Sequence, residues 1–358
     1  MSSHQIHHPS DCVSNRYKII YFIGEGGMQQ VYYAEDLALK REVALKVPKN
    51  MSAEKRFKRS AVVSARVNHP NVAKTLDYLE DGGNLYLIEE FISGQDLKEG
   101  VIQKLQVVDP YLTAKIFHYL AKGIAASHRA GVIHRDLKPS NIMVSGSFNL
   151  TEIKITDFGI AKMAEEEISN AVKDGESTMS NSSTAVGALP YMAPEMIQES
   201  KRAGKTSDIW SLGAMMYELI SGEKPFGIGW GSVLNILNAA PPSKPTYFDN
   251  QLQFQPLGNQ LYELILLCLK KNPEERPTAE QLVQQCEKLC YPVVDRKEGI
   301  VDEYPRGDWG IIKSNDGRKI FFHLDSVYGE KPQLGSKVCF SEFPGSPYNR
   351  AHPVVLMQ

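Results

Sequence analysis

Short runs of apolar residues near the start of the chain have the length and the β-branched and aromatic content that are typical of β-strands. These runs are Tyr17–Ile23, Val43–Val47 and Leu85–Phe91, and a glycine-rich turn follows the first of them. Between the second and third of these strands, Ser52–Val67 has apolar residues at helical spacing, and Tyr111–Ala130 repeats that spacing over a longer stretch. The pattern therefore predicts a strand-rich section followed by a helix-rich one.

Short strands return near the C-terminus. Gly299–Val301, Trp309–Ile312, Lys319–His323 and Lys337–Phe340 are split by glycine or Asp-Gly turns, which predicts a small β-barrel. A chain of 358 residues exceeds one ordinary core, so more than one domain is expected. The predicted division is a disordered lead at 1–14, a main domain at 15–290, a linker at 291–296 and a barrel at 297–358.

Charge and cysteine content narrow the classes of function. A formal net charge of -2 excludes a broad electrostatic attraction to nucleic acid or to acidic membranes. The five cysteines include no CxxC pair, so free thiols in a reducing cytosol are expected. The longest apolar run, around Leu264–Leu269, is too short to cross a bilayer, which predicts a cytoplasmic protein without a membrane partner.

One loop combines a carboxylate, an ammonium group and a carboxamide between apolar flanks. It runs from Gly131 to Val144 with the sequence GVIHRDLKPSNIMV. This loop resembles the catalytic loop of serine/threonine protein kinases. The resemblance implies that Asp136 orients the substrate hydroxyl and accepts its proton, and that Lys138 stabilises the charge on the transferred phosphate.

A second motif, Asp157-Phe158-Gly159, begins sixteen residues after Asn141 and follows a predicted strand. It is similar to the magnesium loop of the same family, which implies that Asn141 and Asp157 bind Mg²⁺. The resemblance extends from Tyr17 to about Leu289. It implies an α+β bilobal protein-kinase fold, with an N-lobe at 15–92 and a C-lobe at 93–290.

A glycine-rich turn precedes the predicted strand Val43–Val47, which contains Val-Ala-Leu-Lys. The two together resemble the nucleotide-binding strands of kinases. Glycine lets the backbone close over phosphates, and the resemblance implies that Lys46 contacts the α- and β-phosphates of ATP. The ATP-binding residues that it implies are Gly24, Gly26, Val31, Ala44, Lys46, Glu89 and Glu90.

Four positions depart from the kinase pattern. Gln29 replaces the third glycine of the turn, and Ser60 stands where the family has the glutamate that pairs with the lysine. Glu89 occupies the place of an apolar residue, and Ala188 that of a threonine. We hypothesise that Glu89 takes over the pairing with Lys46, because unpaired buried charges are costly. The alternatives are that Glu89 turns outward or that the strand register is shifted by one residue.

A polar, serine-rich insertion runs from Ala164 to Thr184. Kinases in which an arginine precedes the catalytic aspartate, as Arg135 does here, often use it to clamp a phosphorylated loop residue. The resemblance makes Ser183 and Thr184 the candidate phosphorylation sites. A solvated loop without a regulatory role is the alternative.

The order of strands in the tail resembles a cold-shock domain, a barrel of the OB type. In that family aromatic side chains stack on bases, which implies that Trp309, Phe321 and His323 are candidates for binding nucleic acid or another partner. Residues 297–358 contain eight basic and eight acidic side chains, so the attraction to phosphates is weak. Weak binding of single-stranded RNA or DNA and docking of a protein remain alternatives.

The motifs together predict an ATP- and Mg-dependent serine/threonine protein kinase that acts on a protein substrate and phosphorylates its own activation loop. The barrel would recruit a partner or regulate the kinase. The alternative is a pseudokinase or nucleotide-binding adaptor, which the four departures favour and the retained Lys46, Asp136, Asn141 and Asp157 oppose.

Overall fold

An antiparallel six-stranded sheet forms the N-terminal lobe of the computed structural model, with strand order β1-β2-β3-β4-β6-β5. The model describes residues 5–26, 29–49, 57–58, 61–158, 187–199, 202–304 and 307–358. Strands β1 to β6 span Cys12–Val13, Tyr17–Glu25, Gln29–Asp36, Arg41–Pro48, Thr75–Asp81 and Asn84–Glu90. Alternate residues of β2 to β4 and β6, such as Tyr17, Tyr32, Leu45 and Ile88, form the core of this lobe. The predicted strand-rich section is confirmed.

The residues before the sheet are ordered from position 5 onward, so the predicted disordered lead at 1–14 is wrong for its described part. The backbone N–H groups of Ile6 and His7 both donate to the hydroxyl of Tyr32, at 3.0 and 3.1 Å. The imidazole Nε2 of His7 lies 3.0 Å from the hydroxyl of Tyr86. These hydrogen bonds and ring contacts hold the polar lead against the sheet.

The predicted helix Ser52–Val67 is described only in part. Residues 57–58 and 61–64 are helical, and Phe57 and Ala61 pack against Leu87 of the sheet. Ser60, the position of the family's glutamate, lies outside the described residues.

Helices form most of the following lobe. In the described part of the chain, α1 to α7 span Pro110–Arg129, Pro194–Gln198, Lys205–Ser221, Val233–Asn238, Tyr247–Asn250, Gln255–Cys268 and Ala279–Cys286. Asp109 immediately precedes helix α1. Its carboxylate accepts from the N–H groups of Tyr111 and Leu112 and so caps the helix. Helix α3 is buried almost along its whole length around Trp210. Among the described residues we find no helix with the length and apolar character needed to span a membrane.

A small three-stranded sheet follows the N-terminal lobe and lies beside the loop motifs. Its strands β7, β8 and β9 span Gln95–Asp96, Ile142–Ser145 and Glu152–Ile155. Strand β8 directly follows Asn141, and β9 ends two residues before Asp157. The antiparallel pairing of β8 with β9 therefore brings the two polar motifs together at one end of this sheet.

The C-terminal region is an all-β barrel, as predicted. Strands β10 to β15 span Arg296–Glu303, Trp309–Ser314, Lys319–His323, Val327–Tyr328, Lys337–Phe343 and Asn349–Leu356. Strands β10, β11, β12, β15 and β14 close a five-stranded ring, in which only the β12–β15 contact is parallel. Phe322, Phe340 and Val354 fill its interior.

The barrel packs on the helical lobe, and of the predicted linker at 291–296 only the last residue, Arg296, belongs to a strand. Tyr328 is completely buried, and its hydroxyl donates to the carbonyl oxygen of Ile220 at 2.8 Å. Arg296, already part of β10, forms a buried ion pair of 2.9 Å with Asp109, the cap of α1. Tyr328, Cys339 and Val355 accordingly belong to the same hydrophobic core as the helices.

Candidate active site

The loop between α1 and β8 places two polar side chains around Asp136. The ammonium group of Lys138 donates to Asp136 Oδ2 at 2.7 Å, and the amide nitrogen of Asn141 donates to the same oxygen at 3.0 Å. The Asn141 amide also donates to the carbonyl oxygen of Asp136 at 2.7 Å. The structure thus brings together Asp136, Lys138 and Asn141, as the loop sequence predicts.

Buried Asp208 of α3 holds the backbone of this loop. Its carboxylate accepts from the N–H groups of His134 and Arg135, at 2.9 and 2.8 Å, and from His128 Nε2 at 2.8 Å. Arg135 has a φ of 69°, a left-handed conformation that is strained for a side chain with a Cβ. The carboxylate of Asp208 offsets this strain and fixes the position of the adjacent Asp136.

His134 links the catalytic loop to the segment that carries Asp157. Its Nε2 lies 2.8 Å from the carbonyl oxygen of Thr156. Because a carbonyl only accepts, Nε2 carries the proton, and Nδ1 accepts from the N–H of Asp136 at 3.2 Å. The imidazole therefore fixes the two polar motifs relative to each other.

Strand register explains why Lys46 and Glu89 face the same side of the sheet. In the β4–β6 ladder, Ala44 lies opposite Glu89, and Lys46 lies two residues beyond Ala44 on the same face. The ammonium group of Lys46 contacts Glu89 Oε2 at 2.6 Å and Asp157 Oδ1 at 2.8 Å. The predicted Lys46–Glu89 pairing is confirmed.

Two carboxylates share the single ammonium group of Lys46, and their pKa values shift in opposite directions. Burial raises the pKa of Glu89, and the attraction of Lys46 does not offset it. Burial also opposes the charge of Asp157, but Lys46 and the amide of Gln29 lower its pKa. Although burial disfavours the charged lysine, the two carboxylates raise the pKa of Lys46. Lys46 and Asp157 are therefore charged at neutral pH.

Gln29 is a site residue whose contact the sequence did not predict. Its amide nitrogen donates to Asp157 Oδ1 at 2.9 Å, so the start of β3 touches the predicted metal ligand. The signal in the sequence was a large polar residue in place of glycine. The sequence alone does not show that this residue contacts Asp157.

The oxygen atoms in this cleft fit a magnesium-bound nucleotide. Asp157 supplies a carboxylate, and because the amide nitrogen of Asn141 is used on Asp136, its Oδ1 is the atom left for a cation. Mg²⁺ prefers such oxygen donors and keeps several of its waters. Elsewhere in the described residues, no three His, Cys, Asp or Glu side chains cluster as a separate metal centre.

The remaining predicted nucleotide residues line the same sheet. Gly24 lies opposite Val31 in the β2–β3 ladder, and a Cβ built on Gly24 or Gly26 would have open space around it. The side chain of Glu90 accepts from the N–H of Lys74 and pairs with Lys154, and its backbone N–H donates to the carbonyl oxygen of Lys74 at 3.0 Å. The candidates Ser183 and Thr184 lie outside the described residues.

A buried ion pair joins α2 to the segment before α7. Glu195 accepts two hydrogen bonds from the guanidinium group of Arg276, at 2.7 and 2.9 Å. This ion pair supports the helical lobe without touching the cleft.

Comparison with known proteins decides the family. The model of the family "Protein kinase domain" matches residues 17–286. This chain belongs to the protein kinase family. The kinase has serine/threonine-protein kinases among its relatives: pkn3 of Myxococcus xanthus is 33% identical over 304 residues, and PrkC of Bacillus subtilis is 33% identical over 279 residues. These alignments cover 82% and 75% of the kinase, which spans 52% and 40% of the two relatives.

Solved structures show the same fold. A mutant form of the PknI kinase domain of Mycobacterium tuberculosis aligns with a TM-score of 0.55 and 20% identity, covering 80% of this kinase and 99% of that chain. Rad53 1-466, crystallised with AMP-PNP, aligns with a TM-score of 0.58 and 24% identity, covering 75% of this kinase and 64% of that chain. The predicted bilobal kinase fold is confirmed.

The three candidate residues of the barrel lie on one face of it. Register places Trp309 opposite His323, and Phe321 is two residues along the same strand. The rings of Trp309 and Phe321 stack at 5.5 Å, and the guanidinium group of Arg350 lies 4.8 Å from the centre of the Phe321 ring. His323 instead accepts from the N–H of Asp325, so it stabilises a turn.

Proposed function

We propose that the chain transfers the γ-phosphate of ATP to a serine or threonine hydroxyl of a protein substrate in a magnesium-dependent reaction. The observation that supports this proposal most directly is that two clusters of polar side chains lie in the same cleft. Lys46 contacts Asp157 on one side, while Lys138 and Asn141 surround Asp136 on the other. Such a cleft offers cationic, metal-binding and proton-accepting groups to a single phosphoryl transfer.

In this mechanism Asp136 orients the substrate hydroxyl and receives its proton as the new oxygen–phosphorus bond forms. The bond between the γ-phosphorus and the ADP oxygen breaks, and Lys138 neutralises charge on the phosphoryl oxygens. Lys46, kept charged by Glu89 and Asp157, anchors the phosphates that remain in ADP. Asn141 and Asp157 would hold Mg²⁺, which supplies charge neutralisation across the phosphates when bound.

The competing proposal is a nucleotide-binding adaptor without turnover. The departures from the kinase pattern at Gln29 and Glu89 favour it, because these two side chains give Asp157 and Lys46 partners that the family pattern lacks. The retained cluster around Asp136 favours catalysis, since an adaptor needs no proton acceptor there.

Phosphate incorporation from γ-labelled ATP and magnesium, followed by mapping of the labelled residues, separates these functions. Label on Ser183 or Thr184 in the intact chain, absent in Asp136→Asn, is the result expected of a self-phosphorylating kinase. Nucleotide binding without any label, on the chain itself or on added protein substrates, would establish the adaptor instead.

For the barrel we propose recruitment of a protein partner or regulation of the kinase. The half-buried stack of Trp309 and Phe321, with exposed Arg350 beside it, supports a docking role, and the strand order of the closed ring supports the OB type. Single-stranded nucleic acid is the competing ligand. Crosslinking of the intact chain that recovers RNA or single-stranded DNA at Trp309 would favour that ligand over a protein.

We also propose that the kinase is a cytoplasmic protein. All five of its cysteines are free thiols in the structure, three of them buried, which suits a reducing compartment.

A further inference from the structure

The side chain of Gln29 is the feature of the cleft that the proposed reaction leaves unexplained. It begins β3, where the protein kinase pattern has a glycine, and is only 6% exposed. A side chain at this position reaches the metal-binding segment, which a glycine cannot do.

The two ends of the Gln29 carboxamide have different partners. Asp157 Oδ1 is a carboxylate oxygen that only accepts, so the end of the amide that faces it at 2.9 Å must be the nitrogen. The other end, Oε1, is buried and has no hydrogen-bond partner among the residues that the structure describes. A buried carbonyl oxygen without a hydrogen-bond partner is unfavourable. Oε1 is therefore suited to accept a hydrogen bond from a bound ligand rather than from another residue of the chain.

We propose that Gln29 is a positioning residue for the magnesium site: its amide nitrogen orients Asp157, and its Oε1 accepts a hydrogen bond from a water of the bound Mg²⁺. The inference rests on the proposed use of ATP and magnesium. Mg²⁺ retains several waters in nucleotide sites, and each such water is a strong donor. Partners that orient a metal ligand typically change metal affinity tenfold or more when they are removed.

Gln29 thereby connects the start of β3 to the metal site: its amide nitrogen already donates to Asp157, and its Oε1 is left for the metal-bound water. The consequence is specific: Gln29 raises affinity for the magnesium complex of the nucleotide and leaves affinity for the metal-free nucleotide unchanged.

The test measures ADP binding by calorimetry over a series of MgCl₂ concentrations, with the full chain and its Gln29→Met variant. Methionine matches the length of glutamine but can make neither hydrogen bond. We expect the magnesium concentration for half-maximal enhancement of ADP affinity to rise about tenfold in Gln29→Met, with ADP affinity in EDTA unchanged. Gln29→Gly, which restores the family's residue, is the second variant and should show the same shift.

Gln30→Met is the matched control. Gln30 is equally buried and adjacent, but its Oε1 accepts from the N–H of Ile6 and from the hydroxyl of Tyr32. Its substitution can lower the melting temperature, but it should leave the magnesium dependence unchanged.

The outcomes separate this inference from the function on which it rests. An intact chain that binds ADP without any effect of magnesium overturns both. Magnesium-dependent binding that is the same in the intact chain and in both Gln29 variants overturns the inference alone. Tighter magnesium binding in the variants also overturns it, because Gln29 would then compete with the metal for Asp157.

Discussion

Replacement of Glu89 by methionine tests the pairing that distinguishes this cleft from the kinase pattern. Lys46 Nζ lies 2.6 Å from Glu89 and 2.8 Å from Asp157, and the Lys46 and Glu89 side chains are almost fully buried. Loss of a group that orients the partners of a metal ligand typically lowers metal affinity about 10–100-fold. Lys46 keeps Asp157, so we expect a loss of about 2 kcal/mol, or roughly 30-fold, in affinity for magnesium–ADP.

The reason is competition for Asp157. Without Glu89, Asp157 is the one carboxylate partner left to the ammonium group of Lys46 among its contacts in the structure, so the lysine and the metal compete for that carboxylate. Phosphate transfer should fall at least as far as affinity does, because Lys46 is then no longer positioned beside the phosphates.

Fold stability should behave differently from affinity. The pKa of Glu89 is raised by burial, so its contribution to stability is present at pH values below its ordinary 4.5 and is lost as the pH rises through the folded-state value. Ionised Glu89 is therefore a cost to folding at neutral pH, and Glu89→Met should melt at the same temperature or higher.

Calorimetry with magnesium–ADP, a transfer assay and thermal melting measure these effects. Glu80→Met, an exposed glutamate on the neighbouring strand β5, is the control and should change none of them. Unchanged affinity and transfer in Glu89→Met would refute the pairing role. A fall in melting temperature large enough to explain the lost affinity would refute the reasoning on stability.

Two further predictions concern the scaffold. Tyr328→Phe removes one of the two hydroxyl groups that donate to the buried carbonyl oxygen of Ile220, and Tyr247 keeps the other, so denaturant unfolding should show a loss of about 0.5–1.5 kcal/mol in a single transition; a barrel that unfolds separately would contradict this. Burial opposes the charge of Glu195, yet the hydrogen bonds from Arg276 lower its pKa below the ordinary value of 4.5. The contribution of the ionised carboxylate to folding stability is therefore present above pH 4.5, and it is lost as the pH falls through the folded-state pKa. Glu195→Gln should therefore cost about 3–5 kcal/mol at pH 7 and progressively less below pH 4.5, whereas a difference from the unmodified chain that is constant with pH would be evidence against the pair.

The residues predicted most fully from the sequence are those whose neighbours are close in the chain. Asp136, Lys138 and Asn141 lie within one loop, so their spacing alone indicates that they meet. The position of Glu89 was also predictable, because an antiparallel register fixes which face a side chain takes once the two strands are paired.

Contacts between distant segments were not predictable in the same way. Arg296 meets Asp109 across 187 residues of sequence, and neither the barrel pattern nor the start of α1 indicates the other partner. The polar lead before β1 shows a related limit: His7 is held by Tyr32 and Tyr86, whose outward hydroxyls carry no periodic signal. The polar composition of such a segment predicts that it is exposed to solvent, because its contacts with the sheet are not visible in the sequence.

Separate measurement of the roles of Asp136 in transfer and of Asp157 in magnesium binding tests the central claim most directly. Transfer of labelled γ-phosphate and magnesium-dependent ADP affinity should be measured side by side in the intact chain, Asp136→Asn and Asp157→Asn. A magnesium-dependent kinase predicts that Asp136→Asn keeps the affinity and loses the transfer, whereas Asp157→Asn loses both the transfer and the effect of magnesium on affinity. Transfer that persists in Asp136→Asn, or an effect of magnesium that persists in Asp157→Asn, would contradict the account.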